Sequence, residues 1–500
     1  MKQSVAPDGT SYAIPTDGQA LVQFEELRCQ AASFPKTVVV QGLGFVGAAV
    51  AAVIAGARDV AGRPLYFVIG TDLATPGSYW KVAKINAGEA PIRSPDVELG
   101  TLIEHGARIT GNLRATTCEE AYGMADVIVV DLPLDVTGWD EVANMEIGLE
   151  AFEAALGAIG RHMRADALVV IETTVPPGAC EKIAAPILER ERRARGIAKP
   201  LLLAHAYERV MPGLRYVDSI RRFWRSYSGI DARSAAAAGE FLRSFIDTTS
   251  FPLWELPDTA SSEMAKLMEN SYRAVNIAWV HEWTLLAERV GVNLFEVVES
   301  VRVRKGTHDN MRYPGFGVGG YCLTKDSLLA QWSAGAIFGT DVTLGMTLEA
   351  LRINRRMPQH TFDLAVELAG GSLAGRRVLV AGVSYLAEVA DTRSSPTEIL
   401  VDEFERAGAE AVVHDPHLQH WPERPRVKMA ASLEQGLEAA DGLVLAVPHR
   451  AYRGMEFQGK KLKFVVDAQN VLDDGRARWL HQRGIRLAGV GKGHWRKLGY

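Results

Sequence analysis

Cysteine is scarce in this chain of 500 residues. The four present, Cys29, Cys118, Cys180 and Cys322, show neither metal-ligand spacing nor a disulfide framework. That scarcity argues against a disulfide-stapled secreted scaffold and for a reducing compartment, with the cytoplasm as the expected location. An excess of one charge is missing too. Lys and Arg number 55 against 60 Asp and Glu, a formal net charge of −5, so the chain has no general attraction for nucleic acid. The one dense cluster, Glu189 to Arg195, alternates in sign at first and reads as a solvated helix face. Long apolar runs are absent as well. The longest, Phe45 to Ala57, is too short to span a bilayer, and the N-terminus lacks the basic-then-apolar layout of a secretory signal. Neither a nucleic-acid nor a membrane partner is expected. With 47% hydrophobic and 23% charged residues the composition is that of an ordinary globular protein, and its length calls for two or three domains.

What is there begins with a turn of glycines. Thr37-Val38-Val39-Val40-Gln41 is a short β-branched run, followed by Gly42-Leu43-Gly44-Phe45-Val46-Gly47 and the small apolar stretch Ala48 to Ala57. Strand, glycine turn and helix stand in the order a dinucleotide-binding fold requires. Gly42 permits the tight turn, Gly44 lets a pyrophosphate approach the backbone, and Gly47 allows close helix–strand packing. The helix N-terminus then offers its amides to the phosphates. A second strand, Leu65 to Gly70, ends at Thr71-Asp72. An acid there accepts hydrogen bonds from the adenosine ribose hydroxyls and repels a 2′-phosphate, so NAD is expected rather than NADP.

A second glycine-rich segment carries a thiol: Tyr313-Pro314-Gly315-Phe316-Gly317-Val318-Gly319-Gly320-Tyr321-Cys322-Leu323-Thr324-Lys325-Asp326. Four glycines in the six positions from Gly315 to Gly320 leave room for a bulky ligand against the main chain. A helix starting near Leu323 would put Cys322 and Asp326 on one face. A nucleophilic sulfur with a carboxylate in reach points to covalent catalysis. A buried structural cysteine behind a flexible loop is the alternative.

The expected fold class is α/β: two Rossmann-like doubly wound domains joined by a long central helix and a helical middle domain. The expected boundaries are an N-terminal extension over 1–35, a cofactor domain over 36–258, a middle domain over 259–372 and a second sheet domain over 373–500. In the first sheet, runs at Val127 to Val130 and Ala167 to Ile171 end in polar or turn residues. Ligands bind beyond the carboxyl ends of such strands, so Asp131 and the stretch Glu172 to Gly178, with Thr174, are expected to line the cofactor site. Ser261 to Val290 is a long amphipathic helical pattern, opened by serines suited to cap it, and offers a dimer surface. Strands resume at Arg377, Ala411, Gly442 and Phe464. This second sheet lacks a good glycine fingerprint and is expected to bind something other than the dinucleotide.

Taken with Ile85-Asn86-Ala87-Gly88-Glu89-Ala90-Pro91, Glu172-Thr173-Thr174-Val175-Pro176-Pro177-Gly178, Tyr207-Glu208-Arg209-Val210-Met211-Pro212-Gly213, Lys266-Leu267-Met268-Glu269-Asn270 and Asp391-Thr392-Arg393-Ser394-Ser395-Pro396, the two glycine segments make the chain resemble the nucleotide-diphosphate-sugar 6-dehydrogenases. The resemblance runs from about Thr37 to Asp467. It implies NAD as cofactor, a nucleotide-diphosphate sugar as substrate and a homodimer or higher homo-oligomer. It also implies a four-electron oxidation of the sugar C6 hydroxyl to a uronic acid, through a thiohemiacetal and a thioester on Cys322.

Within that resemblance, Lys266 and Asn270 present a cation and an amide to the developing alkoxide, and Asp326 assists as a general base. Glu208 matches the acid near the hydrolytic water. Arg393 is expected to meet the nucleotide or sugar, or to form a capping ion pair at the Asp391 turn. Tyr313 and Phe316 pack on the substrate or on the core, beside Gly317 and Gly319. The chain departs from the family at Leu132, where threonine is usual, and at Gln469, where arginine is common. The tract from Lys266 to Ala278 looks closest to the branch acting on UDP-N-acetylhexosamines. UDP-glucose 6-dehydrogenation and a two-electron hydroxyacid-type oxidation are the alternatives.

Overall fold

The computed structural model describes every residue except 1, 93, 139–143, 211–212 and 458–460, so two positions of the expected motif around Glu208 lie outside the described residues. The chain divides into two compact units, residues 1–267 with 328–343, and residues 268–327 with 344–500.

The first unit is built on an eight-stranded sheet. Its spatial order is Trp254–Glu255, Ser226–Gly229, Leu202–His205, Leu168–Ile171, Val127–Val130, Lys36–Gln41, Tyr66–Thr71 and Leu113–Thr116. Neighbours run parallel except Leu202–His205 against Ser226–Gly229. Val38, Val39, Val40, Ile128 and Val170 are buried because helices cover both faces, which is why these strands read as unbroken apolar runs. Strand order reverses between Lys36–Gln41 and Val127–Val130, the place where a doubly wound sheet binds its ligand.

The first 35 residues belong to this unit. A short hairpin, Gln3–Val5 with Ser11–Ala13, leads into the helix Asp17–Ala31, whose Thr16 and Gln19 form a reciprocal capping box. Phe24, Leu27 and Ala31 pack that helix into the core beside Val39 and Ile69. Lys84 Nζ reaches Asp8 at 2.5 Å and ties the hairpin down.

The second unit holds a six-stranded parallel sheet in the order Lys428–Met429, Glu410–His414, Arg377–Ala381, Gly442–Leu445, Phe464–Asp467 and Arg486–Gly489. The helix Gly345–Ala369 packs on it through Leu364, Ala365 and Leu368. Residues 259–372 fall partly in each unit, 259–267 and 328–343 in the first and 268–327 and 344–372 in the second. Leu329 packs in the core of the first unit, and Ile337 and Phe338 close on Gly178 there. Residues 268–327 instead join the second unit, where Asn354 Nδ2 bonds Ala274 O at 3.0 Å and Glu288 Oε1 accepts the Gly491 amide at 2.8 Å. The long helix runs Thr259–Val290, and its N-terminal cap is Asp258, which accepts the Ser261 amide at 2.7 Å, not a serine.

Candidate active site

In the first unit the chain turns at Gly42, with φ of 94°, and enters the buried helix Gly47–Ala55. A side chain at Gly42 would meet Asp131 O at 2.0 Å and one at Gly47 would meet Gly42 O at 1.9 Å, whereas nothing lies within 4 Å of one at Gly44. The turn is closed underneath and open above Gly44, the shape a pyrophosphate needs. Leu43 packs inward with no exposure, filling the space against Gly70. Phe45 O accepts the Tyr216 hydroxyl, and Val46 lies half-buried at the helix start. Asp72, one residue beyond its strand, accepts the Leu43 amide at 3.1 Å and Lys81 Nζ at 2.6 Å. The acid is therefore fixed at the ribose end of the turn, with a lysine beside it that the sequence pattern did not single out. These residues fit a dinucleotide.

Beyond the neighbouring strands lies a cluster of charge. Glu172 is 3% exposed and pairs with Arg225, itself buried. Its Oε2 has no hydrogen-bond partner, and burial raises its pKa above the usual range against the pull of Arg225. Thr174 is half-buried; its neighbour Thr173 makes the hydrogen bonds, donating to Val130 O at 3.2 Å and accepting the Leu132 amide at 2.8 Å. Leu132, at the expected threonine position, offers no hydroxyl, but this loop is held by Thr173. Lys266 Nζ donates to Glu208 O at 2.7 Å, lies 3.5 Å from Glu208 Oε1 and sits 5.5 Å from the centre of the Tyr207 ring. Lys266 and Glu208 are both buried, so the structure brings this pair together as one unit. His205 is buried beside them, its Nδ1 2.7 Å from Ser262 Oγ, and burial pushes its pKa down to about 3. It is a neutral imidazole at neutral pH.

The loop Thr173 to Gly178 has a fastening that sequence reasoning missed. Glu263 accepts the Gly178 amide at 2.5 Å and the Cys180 amide at 2.8 Å. It stands three residues before Lys266 on the long helix, and that i, i+3 spacing was the available signal.

In the second unit the thiol-bearing loop docks by its glycines. Gly319 lies against Tyr385, Ser394 and Pro396, where a side chain would come within 2.7–2.9 Å, and the Gly320 amide donates to Arg393 O at 3.1 Å. Gly317 passes the backbone of Asn354. Cys322 is exposed, whereas Cys118 and Cys180 are buried. The four cysteines, all described, form no disulfide. The following helix begins at Asp326, not near Leu323; Cys322 O instead accepts the Lys325 and Asp326 amides at 3.2 and 2.9 Å, closing a turn that sets the thiol just ahead of the helix. Asp326 accepts Asn270 Nδ2 at 2.7 Å and Lys325 Nζ at 3.0 Å.

Arg393 clamps Asp391 through Nε at 2.9 Å and Nη2 at 2.6 Å, the capping ion pair, with its guanidinium 5.5 Å from the centre of the Tyr321 ring. Burial pushes the nearby Tyr385 hydroxyl up to about 12. Tyr313 bonds Glu299, stacks on Phe295 and lies under Arg302. Phe316 is 1% exposed in the core with Met357, so core packing is the role its position supports. Gln469 lies against Gly315, about 3.1 Å from where a side chain would begin.

The carboxyl ends of the second sheet repeat part of the first. Asp415 Oδ2 accepts the Val383 and Ser384 amides at 2.9 and 3.0 Å, as Asp72 takes Leu43, but no helix starts at this turn; the next begins at Pro396. Glu388, His417 and His449 also gather here, with ligand atoms within 4.8 Å. His449 Nδ1 already accepts the Glu388 amide and Glu388 Oε1 the Arg450 amide, so these groups serve the local hydrogen-bond network.

A glycine turn ending in a fixed acid at the switch point of a doubly wound sheet defines a dinucleotide-binding domain, and the other unit carries an exposed thiol on a docked loop. Comparison with known proteins agrees. The NAD-binding, central and UDP-binding domains of the UDP-glucose/GDP-mannose dehydrogenase family match residues 36–222, 260–356 and 379–474. The chain belongs to this family and is an NAD-dependent nucleotide-sugar dehydrogenase. It is 30% identical to the UDP-N-acetyl-D-mannosamine dehydrogenase of Pyrococcus horikoshii over 91% of this chain and 99% of that one. It is 27% identical to an NDP-N-acetyl-D-galactosaminuronic acid dehydrogenase of Ralstonia nicotianae, over 87% and 96%. Among solved structures, the UDP-ManNAc dehydrogenase of P. horikoshii matches with a TM-score of 0.77 at 28% identity, covering 92% of this chain and all of that one. A UDP-glucose dehydrogenase from Pyrobaculum islandicum matches with a TM-score of 0.76 at 25% identity, over 91% and 98%.

Proposed function

We propose that this protein is a UDP-N-acetylhexosamine 6-dehydrogenase that converts the sugar C6 hydroxyl to a carboxylate by way of a covalent adduct on Cys322. The observation that carries the reading is the exposed thiol, set by a backbone turn directly ahead of an anchored carboxylate. Relatives named for N-acetylated nucleotide sugars support the choice of substrate.

The Gly42 to Gly47 turn and Asp72 would hold NAD, which would supply the hydride acceptor, a fresh NAD for each of two successive oxidations, with the C6 hydroxyl proton of the first released to solvent. The first leaves an aldehyde at C6. The Cys322 thiolate adds to its carbonyl carbon, and the oxygen takes up a proton to give a thiohemiacetal. Loss of the second hydride and of that hydroxyl proton leaves a thioester. Water cleaves the thioester, releasing the carboxylate and the thiol. Sulfur suits both ends of this sequence, since it adds readily to the aldehyde and leaves readily from the ester.

Lys266, held on Glu208, places a cation for the oxyanion that develops in these steps. Glu208 directs the hydrolytic water. Asn270 offers an amide donor, and Asp326 orients it. Asp72 takes the adenosine ribose, and the amides of Gly44 to Gly47 take the pyrophosphate. Arg393 and the Tyr313 edge of the loop meet the nucleotide sugar. No helix among the described residues is long and apolar enough to cross a membrane, and a cytoplasmic enzyme suits a reaction that needs a reduced thiol. The exposed apolar side chains Trp279, Trp283, Leu286 and Val290 along the long helix support a homodimer.

The purified protein, given NAD and a panel of UDP- and GDP-sugars, is expected to form two NADH per sugar and an N-acetylhexosaminuronate identified by mass. One NADH per sugar sinks the four-electron reading. Turnover of UDP-glucose alone moves the assignment to UDP-glucose 6-dehydrogenase.

A further inference from the structure

Ser4 lies in the first strand of the N-terminal hairpin and has no exposed surface. Its hydroxyl donates to Pro76 O at 2.7 Å, 72 positions further along the chain, and accepts the Trp80 amide at 3.0 Å. Trp80 is the second residue of the helix Tyr79–Asn86. The amides on either side of it are met locally, Tyr79 N by Thr75 O at 3.1 Å and Lys81 N by Ser78 O at 3.0 Å. Ser78, at the capping position, makes no side-chain bond to the helix. The cap comes instead from the hairpin, with Ser4 in the part of an N-cap hydroxyl although it stands outside the helix. A second tie, Asp8 to Lys84 Nζ at 2.5 Å, holds the same hairpin to the last turn of the helix.

The first turn of this helix also carries Lys81. Its Nζ lies 2.6 Å from Asp72 Oδ2, which accepts the Leu43 amide of the glycine turn as well, while Asp72 Oδ1 accepts the Leu73 amide at 2.8 Å. Of these donors to the acid, Lys81 is the side chain, and its place depends on the helix that bears it. We propose that Ser4 is a positioning residue for the cofactor: by capping the helix Tyr79–Asn86 it holds Lys81 on Asp72 and so tightens the binding of NAD. The inference rests on the reading in which Asp72 takes the adenosine ribose. A carboxylate already held in one orientation loses little freedom when the ribose hydroxyls arrive. One released by Lys81 must be ordered on binding, and affinity falls.

The test is calorimetric titration of the cofactor-free full chain with NAD, for wild type, Ser4→Ala, Lys81→Met and the two substitutions combined. Ser4→Ala is expected to weaken NAD binding by about threefold, the scale for ordering one side chain. Lys81→Met should weaken it at least as much, and adding Ser4→Ala to it should cost little more, because both act through one contact. Hydrogen exchange in the cofactor-free chain should show the Trp80 amide losing protection in Ser4→Ala. A purely structural role for Ser4 would lower the unfolding temperature and leave NAD affinity untouched, which overturns the proposal. Losses that simply add in the combined variant overturn the route through Lys81. Asp72→Ala separates the two readings: where it weakens NAD binding and Ser4→Ala does not, only the role of Ser4 falls; where neither does, both fall. If Ser4→Ala does not fold, Asp8→Asn, which loosens the same hairpin at Lys84, decides, and unchanged NAD affinity in that variant overturns the proposal.

Discussion

The side-chain amide of Asn270 donates to Asp326 Oδ2 at 2.7 Å, while Lys325 Nζ holds Asp326 Oδ1 at 3.0 Å. With 1% of its surface exposed, Asp326 is a buried carboxylate with both oxygens engaged, and it fixes the start of the helix that follows the thiol. Asp326→Ala leaves the buried Lys325 without its partner and should cost about 3 kcal/mol of stability, the range for breaking a buried ion pair. Asp326→Asn keeps the contact to Asn270 and should cost less. Urea unfolding of the two variants checks this, and an alanine variant as stable as wild type would show that the pair holds nothing.

Cys322→Ser should lower uronate formation by roughly a thousandfold or more, as for loss of an enzyme nucleophile. NAD affinity should stay within about twofold, because the turn at Gly42 to Gly47 and Asp72 belong to the other unit. Product mass and NAD titration read the two effects separately. An undiminished rate of uronate release removes the covalent step.

Asp72 bonds Leu43 and pairs with Lys81, so its replacement alters two things together. Asp72→Ala would remove the proposed ribose acceptor and leave Lys81 to meet a 2′-phosphate. NAD binding should weaken about tenfold, near 1.4 kcal/mol, at the upper end of the range for an ordinary hydrogen bond. NADP binding should strengthen. Fluorescence titration with both cofactors measures the change in preference, and unchanged values for both would mean that the acid does not touch the ribose.

Much of this fold was legible because its central strands are buried on both faces and so read as plain apolar runs. Lys36–Gln41 and Phe464–Asp467 are such cases. Ser226–Gly229 escaped notice because its apolar pattern is broken by serines. Ser228 is fully buried and bonds Ser262 at 2.6 Å, a pairing that no local pattern encodes. At the site, Gly42 to Gly47, Asp72 and Cys322 stand in runs whose chemistry is local. The partners of the buried acids are not local: Arg225 is 53 positions from Glu172, and Glu263 is 85 from Gly178. The helix after Cys322 was placed three residues early: the Lys325 and Asp326 amides both bond the Cys322 carbonyl, so one closed turn precedes the first residue of the regular helix.

Glu263 gives the fold a pH dependence of definite sign. Burial raises its pKa to about 7 even though the Gly178 and Cys180 amides favour the anion. The unfolded chain titrates near 4.5, so between about pH 4.5 and 7 the folded state holds more protons than the unfolded one. Stability from this group is full below pH 4.5 and is lost as pH rises through 7, a total of about 3 kcal/mol for a shift of this size. Glu263→Gln cannot ionise, so its stability relative to wild type should improve steadily over that interval, whatever constant offset the lost amide contact introduces. Denaturant unfolding of both proteins at pH 4.5, 6 and 7.5 measures the difference. A gap that stays constant with pH would show that Glu263 is ionised throughout and that the amides, not burial, decide its charge.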